Sequence, residues 1–229
     1  MTESLFSMDS DTPDISAMQR LSTEFGATLV VDVAHDLGCL GANGWGHVGD
    51  QGMRGKVDVV MGSFSKTFAS NGGFVACRQH SVKEYLRYYS SPHTFSNALS
   101  PVQAAVIGDC LRIIVSEEGA RLREQLMANI RVLRQRLGEE KFEVHGTDSP
   151  IVCVKMGNER LARLVGRELP DLQMVANLVE YPAVAKGSAR MRLQVMAGHH
   201  KDDLLAAVNR LTAAFRLAQR YERNAERDA

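Results

Sequence analysis

The sequence contains no apolar run close to the roughly 18 residues that a membrane-spanning helix requires. Its first residues lack the basic stretch followed by an apolar stretch that marks a secretory signal. Basic and acidic residues balance at 27 each, so no charge excess points to a nucleic-acid or membrane surface. We therefore expect a cytoplasmic protein with no membrane span and no nucleic-acid partner.

Cysteine is sparse, and its spacing contains no C-x-x-C pair. We interpret the cysteines as free thiols in a reducing compartment, and not as a disulfide framework or a metal site. They are Cys39, Cys77, Cys110 and Cys153. The chain is 45% hydrophobic and 24% charged, and its 229 residues suffice for one large domain or two modest ones.

Short apolar runs alternate with helical patterns along the first half of the chain. Residues 28–33 and 57–61 are almost continuously apolar, which is typical of strands covered on both faces by helices. Residues 15–25 have helical spacing, with Asp14 as a candidate N-cap, and residues 102–115 are apolar enough to predict a buried helix. Further strands are predicted at 73–77, 142–145, 151–156, 174–178 and 191–196, and further helices at 80–89, 117–137, 159–169 and 202–220.

Polar side chains follow two of the predicted strands. Asp32 and His35 lie at the end of the first strand, and Ser63 and Lys66 follow the second. Open α/β sheets bind ligands at the carboxyl ends of their strands. A lysine on a tight loop there can form a Schiff base with a carbonyl cofactor, although a single such lysine is more often an ordinary surface residue.

An arginine pair, Arg190 and Arg192, opens the last predicted strand, and it completes a set that pyridoxal phosphate requires. A carboxylate pairs with the pyridine nitrogen, a lysine holds the aldehyde, a hydroxyl binds the phosphate, and an arginine binds the substrate carboxylate. Taken singly, each residue has an ordinary structural interpretation, such as a helix cap or a solvated strand face. Their combined order and spacing favour the cofactor site.

Five segments resemble the C-terminal part of the α-oxoamine synthases, which are fold-type-I pyridoxal-phosphate enzymes. This family includes aminooxononanoate synthase, 5-aminolevulinate synthase, glycine C-acetyltransferase and serine palmitoyltransferase. The segments that resemble it are ESLFSMDSD (3–11), VVDVAHDLGCLGANGWG (30–46), GSFSKTFASNGGFVA (62–76), FSNALSP (95–101) and YPAV through ARMRL (181–193), followed by His199.

The resemblance implies an α/β fold in two parts. Residues 1–138 would form part of the cofactor-binding large domain, a mainly parallel sheet with helices that ends in a long linking helix. Residues 139–229 would form a small α+β C-terminal domain. Family members begin with a long N-terminal half that does not precede Met1 here, so we expect a fragment, a truncated gene product or the second half of a split enzyme.

The resemblance also implies roles for three residues close to the reacting atoms. Lys66 would form the Schiff base and later move the Cα proton. Asp32 would pair with the pyridine nitrogen of pyridoxal 5'-phosphate. His35 would hydrogen-bond the phenolic oxygen of the cofactor or the substrate carbonyl.

Other residues take binding roles by the same resemblance. Ser7 would orient the ring, and Ser63, where the family commonly has Thr, would bind the phosphate. Ser96 and Asn97 would reach the phosphate of a partner subunit's cofactor, which implies a homodimer or a partner that supplies the N-terminal half. Arg192 would bind the substrate carboxylate, with Arg190 as the second choice, and no metal is implied.

The implied reaction condenses an amino acid with an acyl-CoA or acyl-carrier thioester, usually with loss of carbon dioxide. Departures from the family pattern, including Ser10 for Gly, Asp36 for Ser and Ala69 for Gly, leave the Schiff-base lysine in place. An aminotransferase and a truncated, non-catalytic dimerisation partner remain alternatives. The ESLFSMD and ARMRL segments favour the synthase over the aminotransferase.

Overall fold

A computed structural model of the chain describes residues 1–227, with side chains through residue 224. The chain forms two compact units. The first consists of Met1–Phe6 and Thr12–Arg123, and the second of Ser7–Asp11 and the residues from Glu124 onward. The predicted domain boundary near Gly138 stays a prediction.

The first unit is built on a four-stranded sheet in the order β1-β2-β3-β4. Strands β1, β2 and β3 are parallel, and β4 is antiparallel to β3. The carboxyl ends of β2 and β3 therefore lie at the same edge of the sheet. The strands are β1 (Thr2–Glu3), β2 (Val30–Asp32), β3 (Val59–Ser63) and β4 (Gly73–Cys77).

Helices and a glycine-rich loop pack around this sheet. The predicted N-cap is confirmed, since the Asp14 carboxylate accepts a hydrogen bond from the backbone N–H of Ala17 at 2.8 Å. A buried apolar cluster joins Ile15, on the first helix, to Val31 and Val48. The helices are α1 (Ile15–Glu24), α2 (Gly46–Asp50), α3 (His80–Tyr89), α4 (Ser91–Thr94) and α5 (Pro101–Ile114), with a 3-10 turn at Ala42–Gly44.

The predicted burial of residues 102–115 is wrong for most of α5. Ile107 and Ile114 are buried against Phe68, but Val102 is 74% exposed and Val115 is 60% exposed. A helix that is apolar on all faces is predicted to be buried, but its sequence does not show which polypeptide covers each face. Within the described residues, only one face of α5 is covered.

The second unit contains a four-stranded antiparallel sheet in the order β5-β6-β8-β7. Helix α6 runs from the first unit into the second, and α7 and α8 belong to the second. Its strands are β5 (Val144–His145), β6 (Ile151–Gly157), β7 (Asn177–Val179) and β8 (Ala189–Gln194), and the helices are α6 (Glu117–Glu139), α7 (Glu159–Glu168) and α8 (Lys201–Arg227).

Apolar residues of α6 form part of the core of this unit. Leu126, Ile130, Leu133 and Leu137 are buried, whereas Leu122, nearer the start of the helix, is 45% exposed. The helix, predicted to end at residue 137, continues to Glu139. None of the described helices is both long and apolar enough to cross a membrane.

Candidate active site

Asp32 lies at the carboxyl end of β2, and backbone groups fix its position. Its Oδ1 accepts a hydrogen bond from the N–H of Ala34 at 2.8 Å, and its backbone carbonyl accepts one from the N–H of Ser4 at 2.8 Å. Its side chain is half-buried. The carboxylate is therefore held at the strand end by its own turn and by β1.

The turn that follows β2 carries His35 and is held by Asp36, which was not predicted as a site residue. The buried Asp36 carboxylate accepts hydrogen bonds from the Ser4 hydroxyl at 2.7 Å and from the N–H of His47 at 2.8 Å. Burial raises the pKa of Asp36 above its ordinary value, and these hydrogen bonds oppose that shift.

The same contact explains the glycine at position 46. A Cβ there would lie 2.6 Å from the Asp36 carboxylate, and Gly46 has φ +59°. Only glycine satisfies both the close approach and the left-handed backbone. The glycine-rich loop therefore packs closely against the turn that carries His35.

Lys66 lies on the loop that joins β3 to β4. The backbone closes this loop through the N–H of Phe64 to the Gly72 carbonyl at 3.0 Å and the N–H of Ser70 to the Phe64 carbonyl at 2.9 Å. The N–H of Ala69 also donates to the carbonyl of Lys66 at 3.0 Å. The lysine therefore has a rigid backbone and an exposed side chain.

Two hydroxyl groups precede the lysine. The Ser63 and Ser65 hydroxyls are 2.7 Å apart, and the N–H of Ser65 donates to the Ser63 hydroxyl at 3.1 Å. Because Asp32 pairs with Met61 across the parallel strands, Ser63, two residues further along, faces the same side of the sheet as Asp32. Ser65 is not among the predicted site residues, although the spacing of the S-x-S-K sequence could have indicated it.

This chemistry fits pyridoxal phosphate. Asp32 offers a fixed carboxylate for the pyridine nitrogen, and the two hydroxyls offer groups that can hydrogen-bond phosphate oxygens. Lys66 offers an accessible amine on the loop that begins at the same end of β3. These groups occur at one edge of one sheet, where α/β proteins bind ligands.

The predicted arginines lie on β8 in the second unit and differ in their surroundings. Arg190 is 4% exposed, forms an ion pair with Asp9 and donates to the Met8 carbonyl at 2.9 Å. Arg192 is less buried, and its Nε donates to the Ser7 carbonyl at 2.8 Å. Among the described residues, Arg192 forms no ion pair.

Ser96 and Asn97 lie in the exposed segment between α4 and α5. Their predicted role concerns a partner subunit's cofactor, so their position on a single chain leaves that role a prediction.

A cavity of about 780 Å³ lies in the first unit, on the sheet face opposite Asp32. Val60 and Ala76 line it from paired positions on β3 and β4, and Phe74 lines it beside them. Val60 alternates with Met61, so Asp32 and Ser63 face the other side. The cavity is therefore separate from the candidate site. It is also lined by apolar residues of the loop and α5, including Val33, Leu37, Trp45, Val48, Ile114 and Val115.

The chain belongs to the aminotransferase class I and II family, whose model matches residues 1–211. Serine palmitoyltransferase of Sphingobacterium spiritivorum is 34% identical over 219 residues, covering 96% of this chain and 54% of that protein. The 2-amino-3-ketobutyrate coenzyme A ligase of Escherichia coli K12 is 32% identical, covering 92% and 52%. The 8-amino-7-oxononanoate synthase of Alkaliphilus metalliredigens is also 32% identical, covering 91% and 52%.

Solved structures agree with these relatives. A serine palmitoyltransferase with a pyridoxal-phosphate internal aldimine superposes with a TM-score of 0.87 at 29% identity, covering 95% of this chain and 55% of that one. A serine palmitoyltransferase variant from S. paucimobilis with a bound pyridoxal-phosphate–myriocin aldimine gives the same TM-score at 28% identity. The predicted fold class and the resemblance to the α-oxoamine synthases are confirmed. The chain spans about half the length of the curated relatives it matches.

Proposed function

We propose that this chain provides the Schiff-base lysine and most cofactor contacts of a pyridoxal-phosphate acyltransferase. The enzyme would condense an amino acid with an acyl-CoA thioester, usually with decarboxylation, to give an α-oxoamine. One observation supports this above the others: Asp32 and Ser63 face one side of adjacent parallel strands, and Lys66 lies on the rigid loop that follows.

Lys66, Asp32 and His35 would perform the central steps. Lys66 would hold the cofactor covalently and then take and return the proton at the substrate Cα. Asp32 would keep the pyridine nitrogen protonated, and His35 would hydrogen-bond the phenolic oxygen or the substrate carbonyl. When bound, the cofactor supplies an electron sink for the carbanion at Cα.

Ser63 and Ser7 would place the cofactor, and Arg192 would hold the substrate carboxylate. Ser63, together with Ser65, would bind phosphate oxygens, and Ser7 would orient the ring. Arg192 is favoured over Arg190 because Arg190 is buried and paired with Asp9, so its guanidinium is already satisfied.

We also propose a cytoplasmic assembly in which further polypeptide completes the fold. This is either a homodimer, in which Ser96 and Asn97 reach the partner's cofactor, or a partner that supplies the N-terminal half. Two observations support a polypeptide partner in the first unit: the exposed apolar face of α5, and the fact that β4 pairs only with β3 among the described strands.

Reduction with borohydride tests the cofactor assignment. The chain is incubated with pyridoxal phosphate, alone and co-expressed with the part of the S. spiritivorum serine palmitoyltransferase that it does not match. We expect mass spectrometry of peptides to find the reduced adduct on Lys66, and none at that peptide in Lys66→Ala. Lys83→Ala, which changes a lysine on α3, is the matched control and should keep the adduct. An adduct spread over several lysines in both samples would refute the assignment.

The family also supports an aminotransferase as the second candidate, since its model is that of aminotransferase class I and II. An aminotransferase would convert the cofactor to its amine form with an amino donor and would need no acyl thioester. A synthase would release free coenzyme A thiol only when both substrates are present. Measuring thiol release with and without the amino acid separates the two. A non-catalytic partner would take up no cofactor but would co-purify with a full-length homologue.

A further inference from the structure

The segment Ser7–Asp11 belongs to the second unit, although the residues on both sides of it belong to the first. We call this segment the strap. It contacts β6, β8 and the turn that precedes β6. Apart from Ser7, its residues have no role in the cofactor chemistry proposed above.

The middle of the strap holds Arg190. Asp9 forms an ion pair with the guanidinium, and the Met8 carbonyl accepts a hydrogen bond from Nη1 at 2.9 Å. The Met8 carbonyl also accepts the Cys153 thiol at 3.2 Å. Because Arg190 is 4% exposed, loss of the Asp9 carboxylate would leave a buried charge without its counter-charge.

The C-terminal part of the strap also makes close contacts with the second unit. Ser10 is fully buried, its hydroxyl lies 2.7 Å from that of Ser149, and its carbonyl accepts the N–H of Thr147 at 2.7 Å. Gly146 packs against the strap so tightly that a Cβ would lie 2.3 Å from the carbonyl oxygens of Asp9 and Ser10. The strap therefore has little freedom to shift while these contacts persist.

Ser7, the first residue of the strap, contacts Arg192. The Ser7 carbonyl accepts a hydrogen bond from its Nε at 2.8 Å. A guanidinium offers five N–H donors in a planar fork. With Nε engaged by a backbone carbonyl, the plane of the fork is set, and the donors on Nη1 and Nη2 remain to bind a carboxylate through two parallel bonds.

We propose that Asp9 is a positioning residue for Arg192. By pairing with Arg190, two residues away on β8, it fixes the strap so that the Ser7 carbonyl sets the plane of the Arg192 guanidinium, the group proposed to bind the substrate carboxylate. This rests on the proposed role of Arg192. A buried arginine with an ion-pair partner thus lies beside the arginine assigned to the substrate.

Asp9→Ala and Asp9→Asn test the proposal, with Asp11→Ala and Asp11→Asn as matched controls, because Asp11 is an exposed carboxylate on the same strap. The first measurement needs no cofactor. In ¹⁵N-arginine-labelled chain, the exchange of the Arg192 Nε–H with solvent is followed by NMR, and the resonance is assigned with Arg192→Gln. We expect exchange to accelerate roughly tenfold or more in the Asp9 variants and to stay unchanged in the Asp11 variants.

The second measurement uses the assembled enzyme. Misorientation of Arg192 weakens binding of the substrate carboxylate without altering the cofactor lysine. The KM for the amino acid should therefore rise roughly tenfold in the Asp9 variants, while the KM for the thioester stays unchanged. If Asp9→Ala fails to fold, Asp9→Asn decides, because it keeps an uncharged acceptor for Arg190.

Each result has a distinct meaning. Unchanged Arg192 exchange in a folded Asp9 variant would overturn the positioning role, as would a uniform fall in kcat with an unchanged KM. If Arg192→Gln itself leaves the amino-acid KM unchanged, the proposed substrate role of Arg192 fails, while the exchange measurement still reports on the strap.

Discussion

Replacing Val75 with proline tests the proposed polypeptide partner at the outer edge of β4. The hydrogen bond from the N–H of Phe64 to the Gly72 carbonyl sets the alternation of the β3–β4 ladder. Since Gly62 pairs with Phe74 and Val60 with Ala76, the hydrogen-bonded pairs include Phe74 and Ala76. The N–H of Val75 therefore points away from β3, toward the outer edge.

The expected magnitude follows from this geometry. Proline at position 75 removes an outward donor but no bond between β3 and β4, so the hairpin that carries Lys66 should keep its stability within about 1 kcal/mol. A strand added at this edge would lose one backbone hydrogen bond, worth about 1 kcal/mol, and would meet the proline ring. The Kd of the partner should therefore rise at least about fivefold.

The assay is titration of the chain with the unmatched part of the S. spiritivorum serine palmitoyltransferase, followed by hydrogen exchange of the β4 amides. Val75→Thr is the matched control, because it keeps the N–H and the β-branched shape at a side chain that is 51% exposed. Binding by Val75→Pro with unchanged affinity, or protection of α5 without protection of β4, would refute strand addition. If the chain self-associates and Val75→Pro abolishes that self-association, the partner at the β4 edge is a second copy of this chain.

Four further substitutions test particular contacts. Burial raises the pKa of Asp36, so the folded state holds the Asp36 proton more tightly than the unfolded state does. The free energy of unfolding should therefore fall as pH rises from about 4 through the raised pKa. Denaturant unfolding at several pH values should show a smaller pH dependence in Asp36→Asn. Gly46→Ala combines a left-handed φ with a Cβ against the Asp36 carboxylate, so calorimetry should find the free energy of unfolding lower by about 2–3 kcal/mol, and an unchanged value would contradict the contact. Arg190→Gln removes a buried guanidinium and its hydrogen bonds to the Met8 and Ser188 carbonyls, so it should lower that free energy by about 2 kcal/mol, whereas Arg192→Gln should change it by less than about 1 kcal/mol, and equal effects in denaturant titrations would argue against their separate roles.

The strand ends illustrate what could be predicted. The apolar runs before Asp32 and before Ser63 predict buried strands from local composition alone, and parallel strands present their carboxyl ends at a common edge. The position of Asp32 and Ser63 at that edge therefore follows from short-range pattern. The role of the Asp36 carboxylate could not be predicted because its partners, Ser4 and His47, lie far from it along the chain. The Ser65 hydroxyl lies two residues from its partner, Ser63, and local spacing could have indicated it.

The arginine pair and α5 illustrate what could not be predicted. Arg190 and Arg192 share a strand face by sequence spacing, and only the ion pair with Asp9, a contact between residues far apart in the chain, separates their environments. The apolar composition of α5 predicts burial, but the structure leaves Val102 and Val115 exposed.

The sequence by itself therefore determined the family, most of the strands and helices, and the candidate lysine, since these depend on periodicity and on short motifs that can be recognised without knowledge of long-range contacts. Tertiary structure alone decided that the strap belongs with β6 and β8, that Arg190 is engaged by it, and that the large cavity faces away from Asp32. The physical reason is that burial and charge pairing depend on which distant segments meet, and composition does not encode that locally.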